Sequence, residues 1–304
     1  MIKHLALSGG ANKCLVFVGA IQALEELNIL SHITHFAGTS AGAILSLLLV
    51  LGYSVSNILE LYKELNFYDL LDINTTHILQ FFNNFGLDNG DTFIHIVKYV
   101  ICKKTGNEII TFKKLYEITH KTLIITGTCI EKERVEYFDH IRTPNMPVYL
   151  AVRISTGLPF IFNRIIYNNL SYIDGGFLEY LPVRYFENNT QTLALGIKNI
   201  SLDTVEAITS IEEYVYKMFC GLYRIHQNNL IHTYDGHSVF FNIPFSNLEN
   251  IDIQAKQNII DIGYKDTMEY MHTYIIRDIV DILIQKIDNN VTCNDSNIKL
   301  KKNK

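Results

Sequence analysis

The sequence predicts an α/β fold: a mainly parallel central sheet flanked by helices. Three observations predict it. Short apolar runs alternate with helical periodicity from the N-terminus onward, the order that crossover connections between parallel strands produce. The segment from Ala41 to Leu51 is apolar on every side, which places a helix inside a layered core. Proline is scarce, at 5 residues, and neither a linker nor a low-complexity tract divides the body of the chain.

Each element has its own signal. Leu5-Ala6-Leu7 reads as a short buried strand that ends at Gly9 and Gly10. From Cys14 to Leu27, apolar Val18, Ile21, Leu24 and Leu27 recur at helical spacing, with Glu25 and Glu26 outward. Ile33 to Ala37 is the second strand, and the apolar helix from Ala41 follows it. Ser56 to Leu71 is amphipathic, with Ser56 as N-cap, and Asp91 to Lys103 is a further helix after the turn at Gly86 to Gly90. Leu123 to Ile130 and Arg134 to Asp139 read as strands joined by the charged turn Glu131 to Glu133. Pro147 opens a short helix that runs to Gly157-Leu158-Pro159. Ile165 to Tyr167 and Ser171 to Ile173 flank Asn168-Asn169, a hairpin signal. Gln191 to Lys198 is a strand, and Ile211 to Ile231 and Asp266 to Ile287 are long helices. Residues 1–288 read as one domain. From Asn289 to Lys304 the chain turns polar, as a frayed tail does.

Composition narrows the function classes. Of 304 residues, 48% are hydrophobic and 19% charged, which excludes wholesale disorder. A net charge of −5 provides no global field for a nucleic-acid partner. The five cysteines are scattered and form no CxxC pair, so neither a disulfide framework nor a structural zinc site is expected. Reduced thiols fit a cytoplasmic setting. The apolar run before Ser8 is too short for a signal peptide, and Ala41 to Leu51 is about half a membrane span. No transmembrane helix is expected.

Three short motifs carry the chemistry. Gly38-Thr39-Ser40-Ala41-Gly42 is a GxSxG sequence between an apolar strand and a buried helix. A nucleophilic serine needs a tight strand-to-helix turn, and glycines two before and two after leave room for it. The following helix then aims its N-terminal amides at a developing oxyanion. The plainer reading is a glycine-flanked helix cap. Ser8-Gly9-Gly10-Ala11-Asn12-Lys13 follows the first strand, and its backbone N–H groups can form an anion nest or a plain turn. It matches neither GxxxxGK[ST] nor GxGxxG, so a nucleotide-binding reading lacks its motif. Asp174-Gly175-Gly176 puts a carboxylate at a strand end, free to act as a base toward Ser40, although Asp-Gly alone marks a turn.

Together these motifs resemble the patatin-like phospholipases. Leu-Ser-Gly-Gly-Ala-Asn-Lys, Gly-Thr-Ser-Ala-Gly and Asp-Gly-Gly stand in that family's order and spacing, with lesser likenesses at Thr126-Gly127-Thr128, Arg153 to Pro159 and Leu181-Pro182-Val183. The resemblance covers roughly Ile2 to Ile200 and implies a three-layer α/β/α fold. It also implies a serine lipid acyl hydrolase of the phospholipase A type with a Ser–Asp dyad. Ser40 would be the nucleophile and Asp174 the base. Gly9, Gly10, Ala11 and Ala41 would supply oxyanion-hole amides, and Lys13 a nearby positive charge. Gly38, Gly42, Gly175 and Gly176 complete the motifs. The implied partners are a phospholipid or other lipid ester and, transiently, a membrane surface; no cofactor and no metal are implied.

Two residues depart from the family's glycine loop. Ala11 stands where a third glycine is usual, and Cys14 where the last one is. A positive φ at either would be strained. They favour the alternative of a catalytically weak lipid-binding or interaction protein on the same fold. Cys14, at a helix start beside Lys13, is expected to be the most reactive thiol. A Ser–His–Asp triad would draw on His226, His232, His237 or His272, and His226, His232, Asp235 and His237 can be drawn as a metal site. Their spacing matches no ligand pattern, so structural roles are expected for them.

Overall fold

The computed structural model describes residues 1–64, 70, 71, 81, 83–187, 189–198, 208, 209, 214, 217, 218, 221, 224, 225, 228, 229, 234, 236–243 and 252–301, with backbone alone for 278 and 281–301. The helix expected from Ile211 to Ile231 lies largely outside these residues, as do His226, His232 and Asp235.

An eight-stranded sheet forms the middle layer. Its strands are β1 (His4–Leu7), β2 (His35–Gly38), β4 (Thr122–Cys129), β5 (Arg134–Phe138), β7 (Ile165–Tyr167), β8 (Leu170–Asp174), β9 (Thr192–Lys198) and β10 (His237–Asn242). The order is β10-β9-β1-β2-β4-β8-β7, with β5 also paired to β4. The five strands from β10 to β4 are parallel, while β5, β7 and β8 are joined antiparallel. A small parallel pair, β3 (Gly86–Asp88) with β6 (Phe160–Phe162), stands apart. The expected hairpin forms, with Asn168 and Asn169 both at positive φ, 50° and 61°, as its turn demands.

Helix α1 (Leu15–Glu26) follows β1, and α2 (Ala41–Val50) follows β2. Helix α2 carries no charged residue, and all of its side chains except those of Ala41 and Ile44 are buried. That is the environment its all-round apolar sequence requires. Beyond it come α3 (Val55–Glu64), α4 (Asp91–Thr105), α5 (Phe112–Thr119), α6 (Val148–Ser155) and α7 (Ile253–Lys301). Helix α3 starts at Val55, ahead of the Ser56 expected to cap it, because Ser54 Oγ takes that role by accepting the Asn57 amide at 3.2 Å; the helix is described to Glu64. Helix α7 is longer than the span read from sequence. It begins at Ile253, and its backbone continues through the stretch expected to fray. No glycine or proline interrupts the chain from Asp266 to Lys301, so polarity alone does not end the helix.

The strands set the level of the site. Gly38, the last residue of β2, pairs with Ile125, yet β4 continues to Cys129. Strand β8 runs antiparallel along this overhang, so its last residue, Asp174, pairs with Gly127. Asp174 is thereby lowered toward the level that the chain reaches just past Gly38.

The opposite ends of the central strands β1 and β2 hold a histidine cluster. His4 pairs in register with His35, their rings are 4.9 Å apart, and His4 stacks on Phe186 at 4.7 Å. Burial, then the neighbouring His35 and Lys3, push the His4 imidazole down from 6.5 to about 4. Burial and His140 likewise lower His35. The fold therefore favours neutral rings. An unfolded chain protonates first, so this stabilisation is complete above about pH 6.5 and is lost as pH falls toward about 4. The melting temperature should fall between about pH 7 and about pH 5 in the wild type, and fall less in His4→Gln. Thermal denaturation followed by circular dichroism measures both, and equal falls would remove His4 from the explanation.

Candidate functional site

The turn after β2 is tight because glycine makes it possible. A Cβ on Gly38 would lie 2.4 Å from the Gly42 carbonyl oxygen, and one on Gly42 would lie 2.5 Å from the Ser8 carbonyl oxygen. Between them Ser40 adopts φ 54° and ψ −123°, a conformation that costs a non-glycine residue about 1–3 kcal/mol. It persists because its neighbours hold it. The Ser40 amide donates to Ser155 Oγ at 2.9 Å, and the Thr39 hydroxyl meets Thr126 Oγ1 at 2.8 Å.

Ser40 Oγ donates to Asp174 Oδ2 at 2.7 Å. The Asp174 side chain is fully buried, and its Oδ1 accepts the Gly176 amide at 2.7 Å. The Asp174 amide donates to the Gly157 carbonyl at 2.9 Å. So the end of α6 touches both partners: Ser155 holds the backbone of Ser40, and Gly157 holds the backbone of Asp174. Sequence reasoning marked this segment only as a landmark. Its one visible signal was a serine just before Gly157-Leu158-Pro159.

The turn after β1 lies beside them. Among the described residues, the amides of Gly10, Ala11 and Ala41 donate to no protein acceptor. Gly9 differs. Its amide donates to the Tyr180 carbonyl at 3.0 Å, so it anchors the turn and is not available to an oxyanion. The Lys13 amide closes the same turn onto Gly10 O at 3.1 Å. Ala11 sits at φ 47°, so the strain anticipated for this loop is present there. Cys14 is relaxed, at φ −64° and ψ −8°.

The expectation for Cys14 as a reactive thiol is overturned. Its side chain is fully buried, and Sγ points back to the Ser8 carbonyl at 3.7 Å. Burial, then the charge of Asp174, push the thiol well above the ordinary cysteine range. Desolvation thus outweighs the helix start and Lys13.

Beside Ser40 opens an apolar cavity of about 110 Å³, walled by Leu15, Ile44, Leu47, Leu48, Phe93 and Val97, among others. Ala11, Ala41 and Thr156 also line it. Among the remaining histidines, His237 meets the Thr190 carbonyl and packs edge-on against Tyr274. Among the described residues, no group of His, Cys, Asp and Glu could hold a metal ion.

A family model described as patatin-like phospholipase matches residues 5–187, which include all three motifs. The chain belongs to this family. Its patatin-like fold is also that of VipD from Legionella pneumophila, with a TM-score of 0.62 at 17% identity, over 90% of this chain and 67% of that one. ExoU from Pseudomonas aeruginosa, solved in complex with SpcU, gives a TM-score of 0.54 at 17% identity, over 90% of this chain and 52% of that one. This chain thus spans about half the length of ExoU. In sequence, it is 26% identical over 280 residues to an uncharacterized protein of Acanthamoeba polyphaga mimivirus, covering 88% of this chain and 93% of that protein. It is 33% identical over 184 residues to a probable lipid hydrolase of Invertebrate iridescent virus 6, covering 60% and 62% of the two.

The packing of the patatin-like glycine loop makes a chemical prediction. Cys102 is exposed and Cys14 is buried, so iodoacetamide should modify Cys102 first and reach Cys14 only on unfolding. Peptide mapping by mass spectrometry reads the order, and rapid labelling of Cys14 in folded protein would contradict its buried geometry.

Proposed function

We propose that the protein is a serine lipid acyl hydrolase of the phospholipase A type, acting through a Ser40–Asp174 dyad at a lipid–water interface. The observation that carries this reading is the 2.7 Å hydrogen bond from Ser40 Oγ to buried Asp174, on a turn that opens beside an apolar cavity. Asp174 accepts the Ser40 proton as Oγ attacks the ester carbonyl carbon. The carbonyl oxygen takes up the electron pair and meets the amides of Gly10, Ala11 and Ala41, at the positive end of α2. Collapse of the tetrahedral intermediate expels the alcohol of the lysolipid, which takes the proton back from Asp174. Water, deprotonated by Asp174, then attacks the acyl-enzyme, releasing fatty acid and restoring the Ser40 hydroxyl.

The cavity supports the choice of substrate. Its walls offer apolar contact and little polar competition, which suits a fatty acyl chain. The lipid hydrolase name of the iridescent-virus relative points the same way. We further propose a cytoplasmic setting with transient membrane contact. Among the described residues, no helix is long and apolar enough to cross a bilayer.

Ala11 favours the reading of a weak or inactive protein less than its sequence suggested. Its left-handed backbone costs about 1–2 kcal/mol of stability, but its amide stays free. Removing one oxyanion donor, by contrast, costs about 10²–10³ in rate.

Ser40→Ala should abolish release of fatty acid from phosphatidylcholine vesicles while leaving the melting temperature within a few degrees of wild type. Asp174→Asn preserves shape and removes the base, so hydrolysis should fall by about 10²–10⁴. Turnover by folded Ser40→Ala at the wild-type rate would end the reading.

A further inference from the structure

One wall of the acyl cavity comes from outside the region that the family model matches. That region ends at residue 187, yet the cavity lining includes Lys256, in the first turns of α7. Lys256 is only 8% exposed. Its Nζ donates to the Lys63 carbonyl at 2.7 Å and to the Tyr62 carbonyl at 3.5 Å. These carbonyls belong to one turn of α3. Leu61 and Tyr62 of that same turn line the cavity. A single ammonium therefore joins the start of α7 to α3 on the wall that faces the acyl site.

Helix α7 is a rigid support for this contact. It crosses α1 backbone to backbone. A Cβ on Gly263 would fall 1.8 Å from the Val16 carbonyl oxygen, and one on Gly19 would fall 1.9 Å from the Ile260 carbonyl oxygen. The crossing leaves no room for α7 to slide. At its start, Asp252 Oδ1 accepts the Ala255 amide at 2.7 Å, and the Lys256 amide bonds to Asp252 O. Lys256 thus extends from a fixed base to main-chain carbonyls of α3.

Stability alone does not explain a lysine here. Burying an ammonium is costly unless hydrogen bonds compensate. An apolar residue would fill an apolar wall more cheaply. What the ammonium adds is position: its bonds to the Tyr62 and Lys63 carbonyls hold this turn of α3 against α7 beside the cavity.

We propose that Lys256 determines acyl-chain specificity by locking the α3 wall of the cavity, so that the C-terminal helix sets the length of chain accepted at Ser40. This rests on the acyl-hydrolase reading above. Lys256 does not touch the reacting atoms. It is a positioning residue, and its effect falls on the chain-length profile.

The test compares kcat/KM for p-nitrophenyl butyrate and p-nitrophenyl laurate in wild type, Lys256→Met and Lys256→Arg. In Lys256→Met the wall is released, and the laurate-to-butyrate ratio should rise about 10-fold, the effect of one methylene in a hydrophobic pocket. Lys256→Arg still donates to both carbonyls and should keep the wild-type ratio. An unchanged or lower ratio in folded Lys256→Met overturns the proposal. If Lys256→Met does not fold, Lys256→Gln carries the same comparison, since it removes the charge and weakens the bonds to α3. If the wild type hydrolyses neither ester, the hydrolase reading fails, and binding of cis-parinaric acid followed by fluorescence decides the inference. About 10-fold tighter binding to Lys256→Met than to wild type supports a wall set by Lys256, and equal affinity overturns it.

Discussion

The Ser40–Asp174 hydrogen bond is the contact on which the rest of the site depends, and neither residue could make it alone. They lie far apart in sequence, on strands of opposite direction. Two constraints bring them together. The overhang of β4 lowers Asp174 to the right level, because β8 can pair only with the part of β4 that extends beyond β2. The end of α6 then fixes the spacing from the other side, through Ser155 to the Ser40 amide and Gly157 to the Asp174 amide. With both backbones held, the carboxylate needs no histidine to reach the hydroxyl.

Much of this was legible in the sequence, for reasons that belong to particular residues. Glycines at 38 and 42 announced a turn with no room for a side chain, and the backbone oxygens that would collide with a Cβ are there. The all-apolar stretch from Ala41 announced a helix buried on every face. Asn168-Asn169 announced a turn with two positive φ angles. What stayed hidden was whatever depends on where a backbone amide points. Gly9 belongs to a glycine-rich loop, yet its N–H is taken by Tyr180 O, a partner distant in sequence. Cys14 begins a helix beside a lysine, yet it faces inward. Lys256 sits in an ordinary polar stretch, and nothing local to it reveals that its ammonium reaches the Tyr62 and Lys63 carbonyls of α3.

The two departures from the family's glycine loop illustrate how a backbone sorts substitutions. Cys14 occupies a helical conformation that any residue adopts, so its side chain has only to fit the core, as a small apolar thiol does. Ala11 occupies a left-handed conformation, and its strain adds to that of Ser40 in the same small region. Such strain persists only where the surroundings determine the backbone more strongly than the residue's own preference.

Arg153 is part of what determines it here. This side chain is wholly buried on α6, two residues before Ser155. Its Nη2 donates to the carbonyls of Asn89 and Asn163, at 3.1 and 3.2 Å, and its guanidinium lies 4.6 Å from the centre of the Phe162 ring. Asn89 follows β3 and Asn163 follows β6, so Arg153 pins α6 to the far end of the small two-stranded pair. Among the described residues, its Nε and Nη1 have no partner, and burial lowers its pKa from 12.5 to about 10 despite the nearby Asp88 and Asp91. A buried cation with unmet donors is a poor source of stability. Its two carbonyl bonds nevertheless fix the helix that fixes Ser155 and Gly157. Lys256 repeats the arrangement on the other side of the cavity, as a buried cation held by main-chain carbonyls. In both places a charge has been taken out of water at a cost, and what it supplies is the position of a backbone segment against the site.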